Sequence, residues 1–141
     1  MKNIQLTCAH ALVKFLIAQK TLIDGKKMPL FPGVFGIFGH GNVACLGQAL
    51  QENQIDLPTW RGHHEQNMAL TGIAYSRAKR RKQIFVATSS VGPGSTNMVT
   101  AAAVAMSNRI PILFLPSDTF SNRLPDPVLQ QVEHFNNPGI T

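Results

Sequence analysis

Charge is scarce in this chain. Only 14% of its 141 residues are Asp, Glu, Lys or Arg, against 44% hydrophobic. That balance excludes a disordered chain and a coiled coil, both of which are charge-rich. Aromatics make up 7%, little material for a nucleic-acid surface built on base stacking. There are two cysteines, Cys8 and Cys45, which form neither a metal pair nor a disulfide framework. They are expected to be reduced and buried, in a cytoplasmic protein. No apolar run approaches the roughly 18 residues of a membrane span. The start, Met1-Lys2-Asn3-Ile4-Gln5, lacks a secretory pattern. Neither a membrane partner nor export is expected. The Gly-x-Gly-x-x-Gly fingerprint and the Lys-bearing P-loop are also missing.

What is present suits one domain. A chain near 150 residues buries roughly two-thirds of its unfolded surface, enough for a core without staples. The formal charge is +6, and a basic balance raises a nucleic-acid reading. Five cations, however, form one run: Arg77, Lys79, Arg80, Arg81 and Lys82. The run closes a helical pattern, where cations offset the dipole and bond free carbonyls. No nucleic-acid partner is expected.

Periodicity places the elements. Ala9, Leu12, Val13, Leu16 and Ile17 recur at helical spacing, with Thr7 positioned to cap. Residues 21–32, with Asp24-Gly25, Pro29 and Pro32, read as a turn-rich loop. Gly33–Phe38 reads as a buried strand, followed by a helix with Asn42 as its cap. Leu57–Arg61 reads as a short strand and His64–Arg81 as a helix. Ile84–Thr88 is a strand, 89–95 a turn, Met98–Met106 an alanine-rich helix and Ile110–Leu115 a buried strand. Pro127–Phe135 reads as a short helix with proline in its first turn. Apolar strands alternating with helices predict an α/β fold: a parallel sheet with helices on both faces. Ligands bind such sheets at the strand carboxyl ends. Three segments occupy that position: Gly39-His40-Gly41, Arg61–Glu65 and Gly92-Pro93-Gly94.

Each candidate residue also has an ordinary reading. Glu65 opens a helix, where the dipole favours negative charge; a first-turn Glu is commonplace. His63 and His64 are adjacent and cannot both face one metal from one helix face, so no metal site is expected. Asp118 and Asp126 read as turn residues. Gly92 and Gly94 let backbone approach a ligand, and the helix start after them offers free N–H donors. His40 is either a strand-end hydrogen-bonder or a ligand contact.

Read together, these segments resemble one superfamily. The residues are Gly39-His40-Gly41-Asn42, then His64-Glu65-Gln66, then the run from Ala87 to Asn97. They are similar to the N-terminal pyrimidine-binding domain of thiamine-diphosphate enzymes. Phe38–Val43, Ile112–Phe120 and Pro125–Gln131 narrow the resemblance to the trihydroxycyclohexane-1,2-dione hydrolases of myo-inositol catabolism. It covers essentially the whole chain. Asn67, where the family usually has a smaller residue, and Ser95, in place of the commoner alanine, are departures.

The resemblance implies a great deal. That family opens a cyclic dione by hydrolysing a carbon–carbon bond with thiamine diphosphate, and has pyrimidine-binding, central and diphosphate-binding domains. Its Mg2+ is held by the diphosphate-binding domain, through a Gly-Asp-Gly segment that this sequence does not contain. Residues 1–141 are therefore expected to be the first domain alone, a fragment or split subunit inactive by itself. Partners would be a homo-oligomer or a separate diphosphate-binding domain. Glu65 would be the carboxylate bonded to pyrimidine N1′, promoting the imino form of the cofactor. Gly39, His40, Gly41, Asn42, Gly92, Pro93, Gly94 and Asn97 would line the cofactor pocket. Acetolactate-synthase-like and decarboxylase domains are the same-superfamily alternatives, and a non-catalytic dimerising remnant is the alternative of another class.

Overall fold

The computed structural model describes residues 3–118. Asp126, the Pro127–Phe135 helix and the Pro125–Gln131 motif lie outside them. Helix α1 (Cys8–Ala18) starts where Thr7 stands: its hydroxyl accepts a hydrogen bond from the His10 N–H at 3.2 Å. Two strands follow, β1 (Lys20–Ile23) and β2 (Lys26–Pro29), paired antiparallel around Asp24-Gly25. The loop expected over 21–32 is thus largely a hairpin. Both turn residues take positive φ, 49° and 77°, as a two-residue hairpin turn requires. The hairpin escaped periodicity because its lysines face water and no residue in it is fully buried.

The remaining strands form one parallel sheet in the order β4-β3-β5-β6. They are β3 (Val34–Gly36), β4 (Thr59–Arg61), β5 (Val86–Ser89) and β6 (Leu113–Pro116). Between them run a π-helical turn (Val43–Gly47), α2 (Gln48–Glu52), α3 (Glu65–Ala78), the single turn α4 (Pro93–Thr96) and α5 (Val99–Asn108). Alternate strand residues point to opposite faces, and the register exploits this. Val34 pairs with Val86 and packs with α1 and α2 through Val13, Leu16, Ala49 and Leu50. Their neighbours Phe35 and Ala87 pair and face α3 and α5 through Met68, Ala69, Ile73, Ala101 and Ala105. The predicted α/β sheet with helices on both faces is what forms. Strand β6 is the exception in burial: its residues are half-buried rather than buried, the last one exposed.

The cysteines are unpaired as expected, but the expectation that they are buried fails. Cys8 and Cys45 are both free thiols and both exposed, because each lies on the outer side of its helical segment. The cationic run stands at a helix end as expected, but the helix is shorter than His64–Arg81. Helix α3 ends at Ala78, and Arg81 Nε donates to the carbonyl of Arg109, beyond α5, at 2.9 Å.

Helices α1 and α2 are tied by one surface pair. His10 Nε2 lies 2.8 Å from Glu52 Oε2, and Gln48 Nε2 donates to Oε1 at 3.0 Å. These bonds, chiefly that from His10, hold the Glu52 carboxyl below its ordinary value of 4.5. A carboxyl with a depressed folded-state pKa adds stability above the unfolded value, and loses it as pH falls through the folded one. Glu52→Gln is therefore expected to lower stability slightly at neutral pH, where the tie is fully formed, and to flatten the loss below about pH 4.5, the ordinary value, so that variant and parent converge in acid. Urea denaturation across that range checks this; an unchanged acid limb would count against the tie.

Candidate functional site

All four parallel strands end on one edge of the sheet, and the predicted site residues stand there. Strand β3 leads into Gly39–Asn42, β4 into Glu65, and β5 into Gly92–Asn97. The chain reverses sharply after β5. Gly92 takes φ 69° and ψ −121°, a region open in practice to glycine alone. This turn lifts Pro93–Thr96 into a helical turn beside the start of α3.

There the structure joins two residues 32 apart in sequence. Asn97 Nδ2 donates to Glu65 Oε2 at 3.0 Å. The second carboxylate oxygen, Oε1, accepts no hydrogen bond among the described residues and lies against Gly94. A Cβ at Gly94 would sit 3.1 Å from Oε1 and collide with Ser90 Oγ. Glycine at 94 thus keeps one face of a half-buried carboxylate clear. Such an oxygen, braced by its twin and flanked by bare backbone, suits a planar ring bearing an N–H donor. Glu65 is also the first residue of α3, where negative charge meets the positive end of the helix dipole.

Asn42 has another task than the one expected. It stands ahead of the π-helical turn but makes no side-chain cap. It is buried, 4% exposed, and its amide bridges two strand ends. Oδ1 accepts from Gly39 N at 3.0 Å, while Nδ2 donates to Thr88 Oγ1 at 3.2 Å and Ser89 O at 3.0 Å. The amide orientation follows from its partners: one is an N–H, the others are oxygens. Thr88 Oγ1 in turn donates to Leu115 O at 2.8 Å. Ser95 Oγ lies 2.8 Å from Ser90 O and 3.0 Å from Ser117 O. The departure at Ser95 is therefore structural: its hydroxyl ties the β5 turn to the end of β6. A polar floor of Asn42, Thr88, Ser90 and Ser95 runs beneath the glycine loops. Sequence reading named Asn42 and Ser95 of these; Thr88 and Ser90 entered only as members of the run from Ala87 to Asn97, because hydroxyls in a β-rich run carry no pattern of their own.

Asn42→Ala should orphan the Gly39 N–H and loosen both strand ends. A buried donor without a partner costs about 1–3 kcal/mol, so a loss of about 2 kcal/mol is expected. Asn42→Asp should cost more, since it sets an acceptor against Thr88 Oγ1 and Ser89 O. Chemical denaturation of both variants tests the order; equal stability to the parent chain would contradict this role.

Other predicted positions are surface. His40 and Gly41 are exposed, as are His63, His64 and Asn67. Gly41 packs against β6's end: a Cβ there would stand 2.9 Å from Ser117 Cβ. A cavity of about 640 Å3 opens nearby, lined by Ile37, Phe38, Leu50, Gln51, Gln54 and Arg61 among others, but not by Glu65. Its side-chain chemistry is mostly apolar and amide, so we place the candidate chemistry at Glu65. Among the described residues no group of three His, Cys, Asp or Glu could hold a metal, and no helix is long and apolar enough to cross a membrane.

Comparison with known proteins bears on this arrangement directly. The whole chain is 55% identical over 141 residues to the 3D-(3,5/4)-trihydroxycyclohexane-1,2-dione hydrolase of Clostridium tetani. It is equally similar, 55% over 141 residues, to that of Geobacillus thermodenitrificans. Against the Listeria innocua protein of the same name it is 52% identical over 140 residues, 99% of the chain. The chain spans 22% of the length of each of these relatives. Residues 32–136, which carry both glycine loops and Glu65, match the thiamine pyrophosphate enzyme N-terminal TPP binding domain. The chain belongs to the thiamine pyrophosphate enzyme family, as an N-terminal TPP binding domain.

Proposed function

We propose that this chain supplies the pyrimidine side of a thiamine-diphosphate site in an enzyme that hydrolyses a carbon–carbon bond of trihydroxycyclohexane-1,2-dione, opening its ring in myo-inositol catabolism. The observation that carries the reading is Glu65: one carboxylate oxygen held by Asn97, the other clear beside Gly94. The substrate class rests on relatives of that name matching the chain from end to end.

Bound thiamine diphosphate supplies the carbon nucleophile that cleavage beside a carbonyl needs. This chain's residues do the rest on the pyrimidine side. Glu65 Oε1, left clear beside Gly94, would share a proton with the pyrimidine nitrogen of the bound cofactor. Asn97 fixes the carboxylate plane, so that sharing is directional. Gly92, Pro93 and Gly94 would hold the cofactor through their backbone, as would Gly39, His40 and Gly41, whose loop Asn42 fixes through the Gly39 N–H. His40, which is exposed, would face the cofactor or the substrate. Mg2+ and the diphosphate belong to a diphosphate-binding domain, in the cytoplasm.

Such a half-site needs covering. The two site loops lead directly into exposed apolar residues, Val43 at 54% and Val99 at 64% exposure. Exposed apolar surface around a polar site marks an interface. We expect the purified chain to associate to dimers or beyond, and Val43→Ser/Val99→Ser to shift it toward monomer. Sedimentation velocity tests this; a sharp monomer peak for the parent chain at high concentration would count against it.

The reading itself is tested by a chimera. This chain would replace the matching segment of the Geobacillus thermodenitrificans relative, and ring opening would be assayed with thiamine diphosphate and Mg2+. Turnover of the dione supports the reading. A folded, cofactor-loaded chimera inert on the dione but active in acetolactate formation would assign the chain to that chemistry instead. One inert on both would favour a non-catalytic module.

A further inference from the structure

Residues 66–117 contain six cations, Arg77, Lys79, Arg80, Arg81, Lys82 and Arg109, and no Asp or Glu. They gather where α3 and α5 end. Helix C-termini attract cations, but each carries only about half a negative charge. Two such ends offset about one of the six. Among the described residues none of the six forms an ion pair.

Three of these cations line a single depression of about 360 Å3, together with Asn108 and Ile110. The three are all arginines: Arg77, Arg80 and Arg81. Lys79 lies elsewhere, its Nζ 5.5 Å from the centre of the Tyr75 ring. Arg81 is braced by the bond from its Nε to Arg109 O, which leaves its terminal nitrogens available. Arg80, Arg81 and Arg109 all take positive φ, 53°, 63° and 53°, a conformation uncommon for long side chains. They are the left-handed residues with which α3 and α5 terminate, and they set these side chains at the two helix ends.

We infer that this depression binds a phosphate group. Guanidinium is a rigid fork that pairs two donors with two oxygens, and it is less strongly hydrated than ammonium. Three forks around one hollow match the three terminal oxygens and near −2 charge of a phosphomonoester. A single carboxylate would leave two arginines unanswered. Glu65 starts α3 and Arg77 lies twelve residues on, so the two sites are about 18 Å apart at 1.5 Å per residue. The phosphate site is distinct from the pyrimidine side of the cofactor site. Its ligand is inorganic phosphate or a phosphorylated small molecule.

Calorimetry of the 141-residue chain with inorganic phosphate and with glycerol phosphate tests this. Saturable binding at one site per chain is expected. Arg77→Gln/Arg80→Gln should weaken it at least tenfold. The charge-matched Lys79→Gln/Lys82→Gln, outside the hollow, should change it less than twofold. Arg77→Lys/Arg80→Lys keeps charge and fold but loses the forks, and should still lose about fivefold. Tighter binding of the free ion identifies inorganic phosphate as the ligand; tighter binding of the ester identifies a phosphorylated small molecule. Equal weakening by the arginine and lysine pairs would overturn the site in favour of diffuse surface charge. So would no saturable binding of either probe, or tight binding only of a DNA duplex.

Discussion

Glu65→Gln in the chimera should lower turnover of the dione by about 10²–10⁴-fold, the usual effect of losing an acid–base partner. Glutamine keeps the size and the hydrogen bond to Asn97, so the fold should survive. What it removes is the carboxyl group whose second oxygen, left clear by Gly94, would exchange a proton with the cofactor. If Glu65 only stabilised the first turn of α3, the same change would cost about 1 kcal/mol or less and spare the rate. The measurement is kcat with saturating cofactor. Near-normal turnover would overturn the assignment. Asn97→Ala separates positioning from chemistry. It should reduce kcat less than Glu65→Gln does, because Oε1 remains but is no longer oriented.

Thiamine diphosphate should bind the isolated chain no better than roughly millimolar, about −4 kcal/mol. Most of its charge lies in the diphosphate and the associated Mg2+, which usually needs one or two protein carboxylates alongside phosphate oxygens. Glu65 is already bonded to Asn97, and the sequence has no Gly-Asp-Gly. The aminopyrimidine would rest in half a pocket, against an association cost of several kcal/mol in lost rigid-body freedom. Because the arginine hollow would also attract a diphosphate, the experiment uses the Arg77→Gln/Arg80→Gln chain. Calorimetry with Mg2+ should then show no saturation below millimolar cofactor. Micromolar binding would defeat the prediction and point to a phosphate site at Gly92–Asn97. Supplying the diphosphate-binding part of a relative in trans should tighten binding by orders of magnitude.

Much of this protein was decided by local chemistry that the sequence displays. Thr7 caps α1 because its hydroxyl reaches the His10 N–H three residues on, a contact set by helix geometry alone. The apolar runs at 33–38 and 84–88 become β3 and β5 because both of their faces are buried under helices, leaving no polar side to show. Glu65, Gly92 and Gly94 could be singled out because they sit at strand-to-helix junctions, where a parallel sheet places its ligands. The elements that periodicity missed or misjudged have equally physical causes. The 20–29 hairpin has no buried face and so no alternation to read. Cys8 and Cys45 are exposed because side-chain direction depends on helix rotation against the sheet. The residues that make the site work are bonded across long separations: Asn97 to Glu65 over 32 residues, Asn42 to Thr88 and Ser89 over 46 and 47, Arg81 to Arg109 over 28. No spacing rule encodes such partners. They meet only because strand order β4-β3-β5-β6 brings separate loops to one edge, and helices α3 and α5 end together at the other.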